Sequence, residues 1–255
     1  MSNQGQGMRL SVVIPLRNEE DCVKTVVGNL TVALEKSGIN YEVILVNDNS
    51  SDGTPGVLSG MRQLNPKLKI IDSRAPHGFG IAIRNGLEVI SGDCVVIFMG
   101  DGSDDAEDVM KYYRKLSEGY DCVFGSRFIK GSRVSGYPRV KLLLNRLGNK
   151  FIQFLFLTNY NDVSNAFKGY RTEVIRMVEP LVSRYFNITV EIPLKAIVRG
   201  FSFAIVPINW NGRGSGVSKY KIKELSRKYF FSILFVWLEK MLLKEEIRYR
   251  KKRKV

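Results

Sequence analysis

The sequence predicts an α/β fold on a largely parallel sheet, and three features carry that expectation. Through the first 125 residues, short apolar runs alternate with amphipathic segments of helical length. That order puts helices on both faces of a parallel sheet. Each run ends in a polar, turn-forming cluster. The chain has 255 residues, 44% hydrophobic and 25% charged, which suits one domain with a sizeable core and excludes a disordered or collagen-like polymer.

The elements follow in order. Residues 10–15 and 41–46 are apolar strand candidates, separated by an amphipathic helix over 21–35. The second strand closes in the turn-rich Asn47-Asp48-Asn49-Ser50-Ser51-Asp52-Gly53. A weak third strand at 70–71 precedes a glycine-bearing loop and a helix near 81–89. Residues 94–99 read as a buried strand ending at Gly100-Asp101-Gly102-Ser103-Asp104-Asp105, then a helix runs through Lys115 and a strand covers 121–124. Residues 130–136 are small, basic and poor in apolar anchors, hence a mobile loop. A helix over 139–157 carries much exposed apolar character, a strand covers 201–208, and the tail from Lys219 is helical. There is no internal repeat and no linker.

Formal net charge is +14, unevenly placed. Residues 1–121 carry 12 Lys/Arg against 17 Asp/Glu, residues 122–212 carry 13 against 4, and residues 213–255 carry 14 against 4. The split suggests a polyanionic partner for the second half: nucleic acid, anionic lipid or a phosphorylated substrate. Three isolated cysteines without a CxxC exclude a zinc ribbon or disulfide scaffold and fit a reducing cytoplasm. His77 is the only histidine, which nearly excludes Ser-His-Asp catalysis. The polar N-terminus lacks a signal-peptide core. The most apolar stretch, 229–238, is ten residues, half of the roughly 20 that a spanning helix needs.

In parallel sheets ligands gather at the carboxyl ends of the strands. Here those ends carry Arg17-Asn18-Glu19, Asn47-Asp48, Asp101 and Arg127. Asp101, beside Ser103, Asp104 and Asp105, supplies hard oxygens suited to Mg²⁺ or Mn²⁺ held together with substrate phosphates. For Asp104, Asp105, Glu107 and Asp108 the plainer account is an acidic helix start. Asp48 can accept from a nucleobase N–H, although its stretch also reads as a simple turn. Glu19 suits either a helix start or a ribose contact. Arg127, Arg139, Arg146, Lys168, Arg171, Arg213 and Lys219 dominate the second half; their forks and point charges match phosphates, against the default of solvated surface charge. Arg213 sits among glycines that let backbone approach a ligand. Gly78-Phe79-Gly80 is no dinucleotide fingerprint, because Ile83 stands where the third glycine belongs, and no kinase-type phosphate loop exists.

Seven motifs in this order resemble family 2 glycosyltransferases: Val-Ile-Pro-Leu-Arg-Asn-Glu (13–19), Val-Asn-Asp-Asn-Ser-Ser-Asp-Gly-Thr (46–54), Gly-Phe-Gly-Ile-Ala-Ile-Arg-Asn-Gly (78–86), Met-Gly-Asp-Gly-Ser-Asp-Asp (99–105), Gly-Ser-Arg-Phe (125–128), Asp-Val-Ser-Asn-Ala-Phe-Lys-Gly-Tyr-Arg (162–171) and Arg213-x-x-Gly216-x-Ser218-Lys219. The last two are similar to polyprenyl-phosphate sugar transferases of the dolichyl-phosphate mannose synthase kind. The resemblance implies a GT-A fold: a single Rossmann-like domain with a mostly parallel central sheet flanked by helices. It implies inverting transfer from a nucleotide-diphosphate sugar to a dolichyl or undecaprenyl phosphate. Pro15, Arg17, Glu19, Val46, Asp48 and Gly100 would hold the nucleotide, and Asp101 would be the metal-binding Asp of a DxD motif. Arg127, Arg213 and Lys219 would meet phosphates, and Lys195, four residues after Glu191, would do likewise. Met99 stands at the first Asp of DxD and Ser103 at the usual later glutamine. Asp101 with Ser103 is then the expected metal pair, and Asp104 could compensate.

Such a reaction needs no histidine, because a polyprenyl phosphate is already anionic and attacks without a general base. Positioning and electrostatic stabilisation are the main contributions. The 130–136 loop is expected to close over bound donor and exclude water. Domain limits of 1–228 for the transferase and 229–255 for an amphipathic, basic tail follow. The tail's aromatic-aliphatic face suits the headgroup region of an anionic leaflet, at the cytoplasmic side, peripheral to the membrane; packing on the sheet, on a membrane partner subunit or in a homodimer is its alternative. Other readings are a saccharide-acceptor transferase using Glu191 or Asp162 as base, and an inactive partner subunit. Nucleic acid is not an expected partner, since no recognition motif accompanies the charge.

Overall fold

The computed structural model describes residues 7–212 and 222–243. The N-terminal half alternates β1 (Leu10–Leu16), α1 (Val23–Lys36), β2 (Tyr41–Asn47), α2 (Thr54–Leu64), β3 (Leu68–Asp72), α3 (Phe79–Glu88), β4 (Cys94–Ile97), α4 (Asp108–Ser117) and β5 (Cys122–Ser126). Then come β6 (Arg133–Ser135), α5 (Arg139–Phe156), β7 (Lys168–Arg171), α6 (Thr172–Met177), α7 (Ile188–Val198), β8 (Phe203–Pro207), β9 (Asn209–Asn211) and α8 (Ile222–Leu242).

The main sheet has the order β3-β2-β1-β4-β7-β5-β8. All its pairings are parallel except those of β7, which runs antiparallel between β4 and β5. The expected α/β, mostly parallel architecture is therefore the observed one. Every residue of β1 and β2 is buried, as a sheet covered on both faces requires. Alternate residues serve opposite cores: Val13, Ile44 and Val46 face one cluster, while Val12, Ile14, Val43 and Leu45 face the other. α1 buries a single stripe, Val23, Val26, Val27, Leu30 and Leu34, against the second cluster. On the first face α3 lies so close to β1 that a Cβ on Gly86 would strike the Val13 side chain.

Three segments add to what the sequence reading gave. The 130–136 stretch is not simply a loop: β6 pairs with β9 in a two-stranded parallel sheet. α7 buries ten of its residues, Glu191 and Lys195 among them, so it offers no amphipathic period to read. α8 runs unbroken through residue 228, and Ser232, Ile233 and Val236 are buried, so part of the expected tail packs on the domain. Among the described residues no helix is long and apolar enough to cross a membrane.

Candidate functional site

Because β1, β2, β4 and β5 run the same way, their carboxyl ends share one edge of the sheet. Register places Leu16 beside Asn47, and Asp48 N–H donates to Leu16 O at 2.8 Å. The two following loops are stitched together. Asn18, in the left-handed region at φ 54°, accepts Ser51 N–H on Oδ1 at 2.8 Å and donates its own N–H to Ser50 Oγ at 3.0 Å. Glu19 N–H donates to Thr54 Oγ1 at 2.9 Å. Cys22 Sγ then bridges to Glu19 Oε2 and Gly100 O, both at 3.3 Å, which ties this loop to the β4 end.

Asp48 is 3% exposed. Its Oδ1 accepts Gly78 N–H at 3.2 Å and lies 3.3 Å from His77 Nδ1, while Oδ2 is 3.8 Å from Arg17 Nη1. His77 thus joins the site although nothing in its sequence setting announced it; only its place just before the Gly78-Phe79-Gly80 loop could have. Pro15 and Val46 are paired neighbours in the sheet, both buried, with the Val46 side chain in the core. What these two can offer a nucleotide is backbone, not side chain.

At the end of β4 the chain turns sharply at Gly102, φ 74°, a conformation that favours glycine. Asp101 Oδ1 accepts both Ser103 Oγ–H at 2.6 Å and Ser103 N–H at 3.1 Å. Asp104 folds back so that Oδ2 accepts Met99 N–H at 3.1 Å. Its Oδ1 is buried without a hydrogen-bond partner. Burial, reinforced by the nearby Asp101 charge, pushes the Asp104 carboxyl up to about 8. An orphaned, desolvated oxygen beside a second carboxylate is what a divalent cation would relieve, so Asp101, Ser103 and Asp104 fit a hard-oxygen ion. Among the described residues no group of three or more His, Cys, Asp or Glu is arranged to hold a metal, so the set is partial and needs substrate oxygens to complete it. Asp105 and Asp108 are otherwise engaged: Asp105 Oδ2 accepts Asn209 Nδ2–H at 2.9 Å, and Asp108 Oδ2 accepts Asn209 N–H at 2.6 Å. They fasten β9 to this turn, as does Asn211 N–H to Ser103 O at 3.0 Å.

Arg127, one residue past β5, is held by the buried Asp162 through its backbone N–H, Nε and Nη2 at 2.9, 2.8 and 2.7 Å. The rings of Phe128, Tyr137 and Trp210 surround the guanidinium at 5.2–5.5 Å. Burial works against its charge, but Asp162 outweighs burial and raises the Arg127 pKa. Asp162 takes Nε and Nη2, and the Tyr137 hydroxyl is also hydrogen-bonded to this guanidinium. Ser132 Oγ–H donates to Ser126 O at 2.7 Å, and Gly212 N–H to Ser135 O at 2.9 Å, so the segment expected as a mobile lid is anchored beside this arginine.

The remaining basic residues divide. Arg146 Nη1 reaches Asn161 O at 3.3 Å, next to Asp162, and Arg139 is exposed at the start of α5. Lys168 is buried, donating to the carbonyls of Val163, Asn165 and Thr189; burial lowers its pKa to about 7. Arg171 donates to Leu116 O and Tyr120 O. Lys195 does not join the strand-end group. It is 1% exposed, 3.2 Å from Glu191 and bonded to Pro180 O, with Glu239 of α8 at 4.0 Å. Arg213 and Lys219, together with 244–255 of the expected tail, lie outside the described residues.

Residues 11–178 match the glycosyl transferase family 2. Polyprenol monophosphomannose synthase of Mycolicibacterium smegmatis is 27% identical over 217 residues, 83% of this chain and 80% of that relative. Dolichol-phosphate mannosyltransferase of Pyrococcus furiosus is 29% identical over 221 residues, 86% of this chain and 61% of that relative, so the alignment spans less than two thirds of the Pyrococcus protein. Among solved structures, glucosyl-3-phosphoglycerate synthase from Mycobacterium tuberculosis with UDP superposes at a TM-score of 0.68 with 18% identity, covering 91% of this chain and 80% of that one. Its complex with Mn²⁺, UDP and phosphoglyceric acid also gives 0.68. At that identity the likeness shows the GT-A type of fold.

Proposed function

The chain belongs to glycosyl transferase family 2, and we propose that this glycosyltransferase moves a sugar, with inversion, from a nucleoside-diphosphate sugar to a polyprenyl phosphate. One observation carries the choice of acceptor. A hydroxyl acceptor needs a carboxylate base, and the two mid-chain candidates are both 0% exposed and fully engaged. Asp162 is bound to Arg127. Glu191 accepts Val182 N–H and Ser183 N–H and pairs with Lys195. A phosphate monoester brings its own negative oxygen and needs no base. The names of the two mannosyltransferase relatives support the same acceptor class.

In this reading Asp48, with Arg17 and His77 beside it, receives the nucleobase, and the loop of Glu19 lies along the ribose. The turn of Asp101, Ser103 and Asp104 faces the diphosphate, and Mg²⁺ or Mn²⁺, when bound there, neutralises it. Arg127, with Arg213 and Lys219, offsets repulsion between acceptor phosphate and donor diphosphate. The acceptor oxygen attacks the anomeric carbon, the carbon–oxygen bond to the diphosphate breaks, and the nucleoside diphosphate leaves. The protein contributes alignment and a pre-set field. β6, anchored over Arg127, screens the sugar from water. Residues 1–228 perform the transfer, and 229–255 hold the enzyme at the cytoplasmic face of a membrane, alone or with a partner subunit.

The test is a matrix of nucleotide sugars against undecaprenyl and dolichyl phosphate, with and without Mn²⁺, reading lipid-linked sugar. Lipid-linked product from at least one donor is the expected result. Donor turnover onto soluble saccharides alone would overturn the acceptor assignment.

A further inference from the structure

The Gly78-Phe79-Gly80 turn meets the Asp48 carboxylate, since Gly78 N–H donates to Asp48 Oδ1 at 3.2 Å. Two of its three residues have no side chain with which to hold it. What holds it is the segment 182–187, just ahead of α7. Gly80 N–H donates to Arg184 O at 3.0 Å, and the Phe79 and Phe186 rings stack at 4.0 Å, 10° from parallel. The backbones run so close that a Cβ on Gly78 would lie 2.5 Å from Arg184 O. Glycine here serves a close approach between distant parts of the chain.

The segment 182–187 contains no helix or strand of its own, so its place is set from behind. Glu191 of α7 accepts Val182 N–H and Ser183 N–H at 2.9 and 2.8 Å. α8 supplies the rest. Tyr229 Oη–H donates to Phe186 O at 3.2 Å. Asn187 Nδ2 donates to Ser183 Oγ at 2.8 Å and to Ser232 Oγ at 2.7 Å. Asn187, Ser183 and Ser232 are all buried, while Ile233 and Val236 on the same side of α8 join the apolar core. Apolar side chains at those three positions would bury as readily, without desolvating three polar groups. Directional bonds add what apolar contact lacks: they fix a single placement of the segment.

We infer that Asn187 is a positioning residue for donor binding. Bridging α8 to the segment 182–187, it fixes the Gly78 turn and, through it, the Asp48 carboxylate. This role rests on the placement of the nucleobase at Asp48 proposed above. Tyr229 and Ser232 act with Asn187, so the first half of α8 belongs to the donor side of the enzyme.

The experiment titrates GDP, UDP and dTDP, each with Mn²⁺, into the full-length parent, Asn187→Ala and Asp48→Ala, followed by calorimetry. Thermal unfolding midpoints and amide hydrogen exchange over 77–88 are recorded on the same samples. In folded Asn187→Ala, binding of the nucleotide that the parent takes should weaken about five-fold or more. The 77–88 amides should exchange faster while those of β1 and β2 stay protected. A merely structural role would lower the midpoint and leave the dissociation constant unchanged, and that result overturns the inference. Should Asn187→Ala fail to fold, Tyr229→Phe, which removes one hydroxyl, is read in the same way for a weakening of about two-fold or more. Parental affinity in Asn187→Ala beside weakened affinity in Asp48→Ala refutes the inference and leaves the nucleotide site standing. Undiminished affinity in Asp48→Ala, or no binding of any of the three by the parent, sinks the nucleotide placement and the inference with it.

Discussion

Arg127 and Asp162 form a pair withdrawn from solvent, with the guanidinium Nε and Nη2 at 2.8 and 2.7 Å from the two carboxylate oxygens and Asp162 fully buried. Two residues 35 apart in sequence thereby lock the end of β5 to the segment after α5. Both partners are desolvated, so neither can be removed alone without stranding a charge.

Asp162→Ala should therefore cost about 3–5 kcal/mol of folding stability, read by urea denaturation. Loss of transfer activity should accompany it, because Arg127 would no longer be aimed. A double Asp162→Ala/Arg127→Met variant should recover part of the stability and none of the activity.

Asp101→Asn should keep the fold, since an amide oxygen can still accept from Ser103. Transfer should fall by about 100-fold or more, in line with the loss of one preorganised charge-stabilising group. Mn²⁺-dependent nucleotide binding, followed by calorimetry, should weaken in parallel.

Asp48→Ala removes the acceptor for Gly78 N–H and the partner of His77 and Arg17. Nucleotide affinity should drop about 10-fold or more, as for a lost hydrogen bond to a charged group. KM for the donor should rise while kcat changes less. An unchanged donor KM would remove Asp48 from the nucleotide site.

Lys168 gives a pH dependence whose sign is fixed. Its folded pKa is lowered to about 7 by burial, against about 10.4 for an exposed lysine. Between those values the unfolded chain holds a proton that the folded chain does not. Lys168 therefore makes stability rise with pH from about 7 towards 10. Denaturation of the parent and of Lys168→Met at pH 7 and pH 9 should show stability changing more favourably with pH in the parent than in the variant, since the raised Asp104 carboxyl works the other way in both alike.

Glu191→Gln separates a buried tether from a catalytic base. The tether predicts a lower unfolding midpoint, since the negative partner of Lys195 is gone, with kcat within about two-fold of the parent. A base would lose activity by about 100-fold or more.

Much of the fold was legible because burial leaves a local trace. β1, β2 and β4 are apolar runs, α1 and α4 carry a helical stripe, and acids sit at strand ends, all visible within a dozen residues. α7 and β7 escaped for the opposite reason. A helix buried all round has no period, and the four residues Lys168–Arg171 carry no mark of running antiparallel between β4 and β5. In the site, Asp48, Asp101 and Arg127 stand where their strand ends predicted. Lys195 and Glu191 looked just as available, four residues apart, until packing put both in the interior.

By itself the sequence determined the alternation of strands and helices, the acids at the strand ends and the cationic second half, because each is a property of neighbouring residues. Only the tertiary structure decided which charges face one another. It gave Arg127 to Asp162 and Lys195 to Glu191, left Asp104 Oδ1 unpaired beside Asp101, and turned the apolar stripe of α5 outwards. Such choices depend on chain segments brought together from far apart, where desolvation decides whether a charge is a tether or a tool.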